Sequence, residues 1–232
     1  MRESFRESGA AVLETACVWF RPELVLDTDR VRIEGAEHVD AALAEGRGVI
    51  LLQAHFTAID VCAPPIGTRW SAGGVQDAPK NPLYAALLEH QRSRWVRPLI
   101  DNRDIRAMVR HLRAGGIVWY SPDQSVPAER GGLATRYFGQ PVLTTGGTAR
   151  IVRMTGAVVI PHVPVRDPAT NRYTLRFLPP LALPDGDEAA ATQAVNDLLE
   201  AQVREQPGQY LWAHRRFRPP APDLPDPYRR SP

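Results

Sequence analysis

Unbroken apolar runs constrain this chain more than any other feature. "GVILLQA" (residues 48–54) and "IVWY" (117–120) have the length of strands but no alternation of apolar and polar residues. A strand with one wet face alternates, whereas a continuous run is expected where both faces of a sheet are covered. "VRIEG", "AVVIPHVPV" and "YTLRFL" supply further strands. Helical patterns separate them. Residues 3–20 place Val12, Ala16 and Trp19 at helical spacing beside Leu13 and Phe20, and "AEHVDAALAEG" forms a helix closed at Gly46. A short helix follows His55 until Pro64 and Pro65 stop it. Another runs from about Pro82 to Trp95, with a proline at its start. Over 104–114, Asp104 suits the N-cap, Ile105, Met108, Val109 and Leu112 form the apolar stripe, and Gly115–Gly116 ends the helix. Helices are also expected over 146–155 and 188–205. The alternation predicts an α/β domain of three layers, with a mostly parallel or mixed central sheet and flanking helices. We assign residues 1–218 to this single domain and 219–232 to a proline-rich tail lying over the surface.

Composition narrows the function classes only a little. Of 28 basic residues, Lys80 is the sole lysine, which reflects either codon bias or recognition of phosphate and carboxylate groups by guanidinium forks. The formal net charge of +2 selects no partner class, and no nucleic-acid partner is expected. Cys17 and Cys62 fit no metal spacing, and nothing in the sequence favours the one disulfide they could form, so a reducing compartment is expected. No run approaches the roughly 18 apolar residues of a membrane span, and the charged Met1–Ala10 stretch lacks a signal peptide's apolar core. The expectation is a soluble or peripherally membrane-bound protein.

One polar pair stands where a buried strand gives way to a helix. His55 ends "GVILLQAH" and Asp60 follows five residues later. In open α/β sheets, sites gather at such strand-to-helix junctions. There the chain folds back, so a carboxylate in the first helical turn can accept from imidazole Nδ1–H and leave Nε2 free as a base. His162 and Asp167 share the spacing, but along an extended strand they lie roughly 16 Å apart on opposite faces. We therefore read His162 as a strand residue with a local partner.

The His55-x4-Asp60 pair matches the signature of glycerolipid and lysophospholipid acyltransferases. The surrounding chain resembles one branch, the secondary (late) acyltransferases of lipid A biosynthesis, or lauroyl/myristoyl transferases. The likeness runs in order through "RESFRESGAAVLETACVWFRPE", "EGAEHVDAALAEGRGVILLQAHFTAID", "NPLYAALLEHQRSRW", "NRDIRAMVRHLRAGGIVWYSPDQS", "YFGQPVLTTGGTARIVRMTGAVVIPHVPVR" and "QYLWAHRRFRP". Members usually begin with a hydrophobic anchor helix, and this sequence begins after that point. Where this chain has Asp60, the lipid A branch often has Glu.

The resemblance implies transfer of an acyl chain from an acyl carrier protein thioester, or acyl-CoA, to a hydroxyl of a lipid A precursor. His55 is then the general base and Asp60 its orienting carboxylate. Arg92, Arg94 and Arg103 are assigned to substrate phosphate or oxyanion contact, and Asp123 and Gln124 to the substrate cleft. Arg106, Arg110 and Arg113 form a solvated face or dock an acidic carrier, and Arg215 and Arg216 contact anionic lipid or serve the C-terminal structure. Trp19, Phe20, Leu24 and Val25 either pack in the core or lie in a membrane interface. No cofactor is expected, and the place of action is the cytoplasmic face of the bacterial inner membrane. Three alternatives are a lysophospholipid or ornithine-lipid acyltransferase, a catalytically inactive lipid-binding homologue, and a Ser-His-Asp hydrolase. The last ranks low because no Gly-x-Ser-x-Gly elbow is present.

Overall fold

A computed structural model describes residues 2–26, 30–219, 224 and 226–228, so most of the expected proline-rich tail lies outside the described residues. The centre is a seven-stranded sheet in the order β1-β9-β8-β2-β5-β3-β4. Its strands are β1 (Val31–Glu34), β2 (Val49–Leu52), β3 (Ala72–Gln76), β4 (Leu99–Asp101), β5 (Ile117–Tyr120), β8 (Val158–Arg166) and β9 (Tyr173–Phe177). All neighbours are parallel except β8 and β9, which makes the sheet mixed as expected.

The unbroken runs occupy the middle, and side-chain alternation explains why both faces of them are apolar. Val49 and Leu51 of β2 point into one core with Ile117, Trp119 and Ile160. Ile50 and Leu52 point into the other with Val118, Val159 and Leu199. The first core is covered by α1 (Arg2–Phe20), α2 (Glu23–Leu26), α3 (Ala36–Ala44) and α4 (Ile59–Arg69). Helices α6 (Ile105–Arg113), α7 (Gly147–Thr155) and α8 (Glu188–Glu205) cover the second. Helix α5 (Pro82–Arg92) is capped by Asn81, whose side chain accepts from Tyr84 N–H at 3.1 Å, and it ends three residues before Trp95. Asp104 caps α6 by accepting from Ala107 N–H at 2.8 Å. A two-stranded antiparallel hairpin, β6 (Gly132–Tyr137) and β7 (Gln140–Thr145), stands beside the sheet.

Three expectations are corrected. Helix α4 continues through Pro64 and Pro65 to Arg69. The two prolines remove hydrogen-bond donors, but Val61, Cys62, Ala63 and Ile66 on either side of them are buried, and that apolar burial offsets the loss. Helix α1 inverts the expected face: Phe5, Val12, Leu13 and Phe20 are exposed, while Glu7 is 2% exposed and Val18 is buried. Glu7 meets the buried Arg166 at 2.7 Å, and Glu14 stands 3.6 Å from the same guanidinium. Trp19 packs partly against the core and Val25 is buried, so only Phe20 of the expected interfacial group is strongly exposed.

The third correction concerns His162, whose local partners are rings rather than hydrogen bonds. It stacks on Phe177 at 5.2 Å and tilts against Trp119 at 5.4 Å, with neither ring nitrogen hydrogen-bonded among the described residues. Burial pushes its pKa down to about 3, so it is neutral in the folded protein. In the unfolded chain it binds a proton near 6.5, so stability falls on acidification, by about 1.4 kcal/mol for each pH unit below 6.5. In urea titrations at pH 5.5 and 7.5, His162→Phe is expected to lose part of the wild-type difference in midpoint. An unchanged difference would remove His162 as its source.

Candidate active site

The parallel register of β2 and β5 builds the site. Leu52 is paired with Tyr120, and Gln53 N–H donates to the Tyr120 carbonyl at 3.1 Å. Continuing this register three residues past both strands brings His55 opposite Asp123. Asp123 Oδ1 lies 2.5 Å from His55 Nδ1, and Asp123 Oδ2 accepts from the His55 backbone N–H at 2.9 Å. The Asp123 side chain is 2% exposed and that of His55 is 26% exposed. The carboxylate is therefore sealed behind an imidazole that reaches the surface. Gln124 Nε2 lies 3.5 Å from His55 Nε2, on the outward side of the ring.

Burial opposes protonation of His55, but the charge and hydrogen bond of Asp123 outweigh it and raise the imidazole above its ordinary 6.5. The positive charge of Arg92 works in the opposite direction. Burial likewise pushes Asp123 up, yet His55 together with its backbone N–H holds the carboxyl below the usual range. The result is an anionic Asp123 that fixes Nδ1–H and leaves Nε2 able to accept a proton. Such an arrangement is suited to general-base chemistry.

Asp60 does not hold the imidazole, contrary to the expectation from sequence. It is the second residue of α4 and turns toward α1 and α5. There it accepts from Arg92 Nη2 at 3.2 Å, Arg92 Nε at 3.3 Å and Thr15 Oγ1 at 3.3 Å. The five-residue spacing brings the carboxylate near the site, but the helical start aims it at a guanidinium. Asp123, expected only in the substrate cleft, takes the place beside Nδ1.

The arginines separate by environment. Arg92 joins the site through Asp60. Arg94 donates to the Trp19 carbonyl at 2.7 Å and to Gln91 Oε1 at 3.0 Å, tying α5 to α1. Arg103 follows β4, the edge strand three places from β2, which puts it roughly 14 Å across the sheet from His55. Arg113 caps α7 by donating to the Met154 carbonyl at 2.9 Å, while Arg106 and Arg110 are exposed. Arg216 is 1% exposed and donates to Leu143 O at 2.7 Å and Asn196 Oδ1 at 3.2 Å, so it fastens the hairpin to α8. Arg215 lies over the Tyr228 ring at 5.7 Å.

Sequence reasoning missed Tyr210 and His214. Tyr210 is buried and its ring meets Phe56, the residue after His55, edge-on at 6.2 Å. His214 Nε2 accepts from Ser125 N–H at 3.2 Å. Both come from a C-terminal segment that only tertiary folding brings to the strand ends.

A profile of the bacterial lipid A biosynthesis acyltransferase family matches residues 1–219. The lipid A biosynthesis lauroyltransferase of Escherichia coli K12 is 31% identical over 227 residues, covering 97% of this chain and 74% of that protein. The palmitoleoyltransferase of the same strain is 29% identical over 220 residues, covering 93% and 70%. Its myristoyltransferase is 25% identical over 205 residues, covering 87% and 63%. With the family profile spanning nearly the whole chain, this protein is an acyltransferase that belongs to the bacterial lipid A biosynthesis acyltransferase family.

Proposed function

We propose that this protein moves a fatty acyl chain from an acyl carrier protein thioester to a hydroxyl of a lipid A precursor, with His55 as general base and Asp123 as the carboxylate that orients it. The observation that carries the reading is the 2.5 Å contact between His55 Nδ1 and a sealed Asp123, with Nε2 on the accessible side. Nε2 takes the acceptor's hydroxyl proton as the oxygen attacks the thioester carbonyl. The tetrahedral intermediate collapses, the C–S bond breaks, and the imidazolium returns its proton to the departing thiolate. An ester and a free thiol result, with no covalent enzyme intermediate. Arg92, held by Asp60 and near enough to oppose protonation of His55, is the cation we assign to the developing oxyanion. This chemistry calls for no cofactor beyond the thioester co-substrate.

We place the reaction at the cytoplasmic face of the inner membrane. Among the described residues no helix is long and apolar enough to cross a membrane. The outward apolar stripe of α1, from Phe5 to Phe20, supports attachment along the surface.

The test is an acyl-transfer assay pairing acyl carrier protein thioesters and acyl-CoA with lipid A precursor and lysophospholipid acceptors. Faster esterification of the lipid A precursor, from the carrier-protein thioester, is expected. Acylation of the lysophospholipid alone would overturn the acceptor, and equal use of acyl-CoA would overturn the donor.

A further inference from the structure

The C-terminal segment 209–216 fastens both limbs of the His55–Asp123 pair. On the His55 limb it runs antiparallel: Thr57 N–H donates to Gln209 O at 2.8 Å, Phe56 bridges Tyr210, and Leu211 N–H donates to His55 O at 2.9 Å. On the Asp123 limb, His214 Nε2 accepts from Ser125 N–H at 3.2 Å, and Ser125 bridges Thr144 of β7. His214 is itself held. Its carbonyl accepts from Arg216 N–H at 2.9 Å, and the buried Arg216 side chain donates to Leu143 O and Thr144 Oγ1. Residues 123–125 therefore carry three consecutive tasks. Asp123 receives Nδ1 of His55, Gln124 reaches Nε2 from the outward side, and Ser125 ends on a second imidazole. Gln124 is exposed, so its place over the ring depends on its neighbours in the chain.

We propose that His214 is a positioning residue of the acyl-transfer site: as a neutral imidazole accepting from Ser125 N–H, it sets the 123–125 segment so that Asp123 and Gln124 bracket the His55 ring. The inference rests on the His55–Asp123 reading of the site. Its physical basis is the acceptor role. A backbone N–H only donates, and an imidazole accepts only through a nitrogen that carries no proton. The Ser125 contact thus requires neutral His214, with its proton on Nδ1. A second proton would set N–H against N–H, break the contact and loosen the segment that bears the orienting carboxylate. The charged and titratable groups acting on His214 are Asp123, which favours protonation, and His55, Arg216 and Arg218, which oppose it. Burial opposes it more strongly than any of them, so the ring is held below its ordinary 6.5 and accepts at neutral pH.

The experiment measures kcat and KM against pH for wild type, His214→Ala, His214→Gln and His55→Ala, using an acyl carrier protein thioester and a lipid A precursor. His214→Ala removes the acceptor and is expected to lower kcat by about 10–100-fold with KM little changed, the scale of a misplaced catalytic group. His214→Gln recovers most of that loss, because its Oε1 accepts from Ser125 N–H where Nε2 did. The pH profile separates this from a merely structural role, since the acid limb of kcat/KM reports protonation in the free enzyme. In wild type the limb falls with a slope of one as His55 takes its proton, then steepens below about pH 6.5 as His214 takes another. His214→Gln keeps the single slope throughout. A nuclear magnetic resonance titration of the wild-type Ser125 amide reads the same event without turnover or substitution. Its signal is expected to move with an ionisation below that of His55, and His214→Gln abolishes that movement. Three results would each overturn the role of His214 alone, with His55→Ala inactive: folded His214→Gln no faster than His214→Ala, a raised KM in place of a lowered kcat, or a Ser125 amide that follows only His55. His55→Ala retaining activity would overturn the dyad reading and this inference with it.

Discussion

Replacing His55 with alanine is expected to lower acyl transfer by at least ~100-fold, the low end of a general-base contribution. The companion variants decide which carboxylate serves it. Asp123→Asn is expected to cost about 10²–10⁴-fold, because an amide no longer selects the Nδ1–H tautomer or stabilises the imidazolium. Any residual activity should show an acid limb shifted to lower pH, since Asp123 is what raises His55. Asp60→Asn weakens the hold on Arg92 and lowers turnover, but leaves that limb where it was. A loss of less than tenfold for His55→Ala would remove the imidazole from the chemistry. A limb that moves in Asp60→Asn and not in Asp123→Asn would return the orienting role to Asp60.

The largest effect on stability is expected at the other end of the chain, from Glu7→Ala. The buried carboxylate of Glu7 faces Arg166 through contacts at 2.7 and 2.9 Å. Truncating it strands a guanidinium that is 7% exposed, with Asn171 and the more distant Glu14 as remaining side-chain partners. Removing one member of a buried pair typically costs about 3–5 kcal/mol. In a chain of this size that corresponds to a drop in Tm of roughly 10 °C. The double variant Glu7→Leu/Arg166→Met should be much closer to wild type, because no charge is left buried. Urea midpoints for the three proteins check this, and a loss below about 1 kcal/mol in Glu7→Ala would show the pair to be solvated.

The elements that could be read from sequence are those whose local signals agree with their packing. The runs at Val49–Leu52 and Ile117–Tyr120, and the Asp104-capped helix α6, fall close to where their patterns placed them. Elements that depend on distant partners were hidden. Strand β3 carries Gly73 and Gly74, which argue against a strand, yet a Cβ on Gly74 would sit 2.6 Å from Val96 Cγ1. The β6–β7 hairpin turns at Phe138 and Gly139, both with positive φ (50° and 72°). A phenylalanine there lacks the usual Asn or Asp turn signal. In α1 the apolar spacing predicted the face that packs, whereas charge pairing to Arg166 decided it.

The candidate site was half legible. His55 could be located because its apolar run names the strand it ends. Its partner was misassigned because proximity in sequence favoured Asp60. A different signal was present: His55 lies seven residues after Gly48, and Asp123 lies seven after Gly116, the two glycines that open the neighbouring strands. Equal offsets on adjacent parallel strands put two side chains level. Which strands adjoin follows only from the folded sheet, as does the return of Tyr210 across Phe56.

Because the ladder between two neighbouring strands sets the separation of His55 and Asp123, the long excursion joining them bears no part of that task. Residues 56–116 leave the sheet centre, form two outer strands and three helices, and come back. Loops of this excursion away from the Asp60–Arg92 contact can lengthen, shorten or be recast while the His55 and Asp123 side chains stay at one spacing. The fold thereby separates the spacing of these two side chains from the shape of the outer loops.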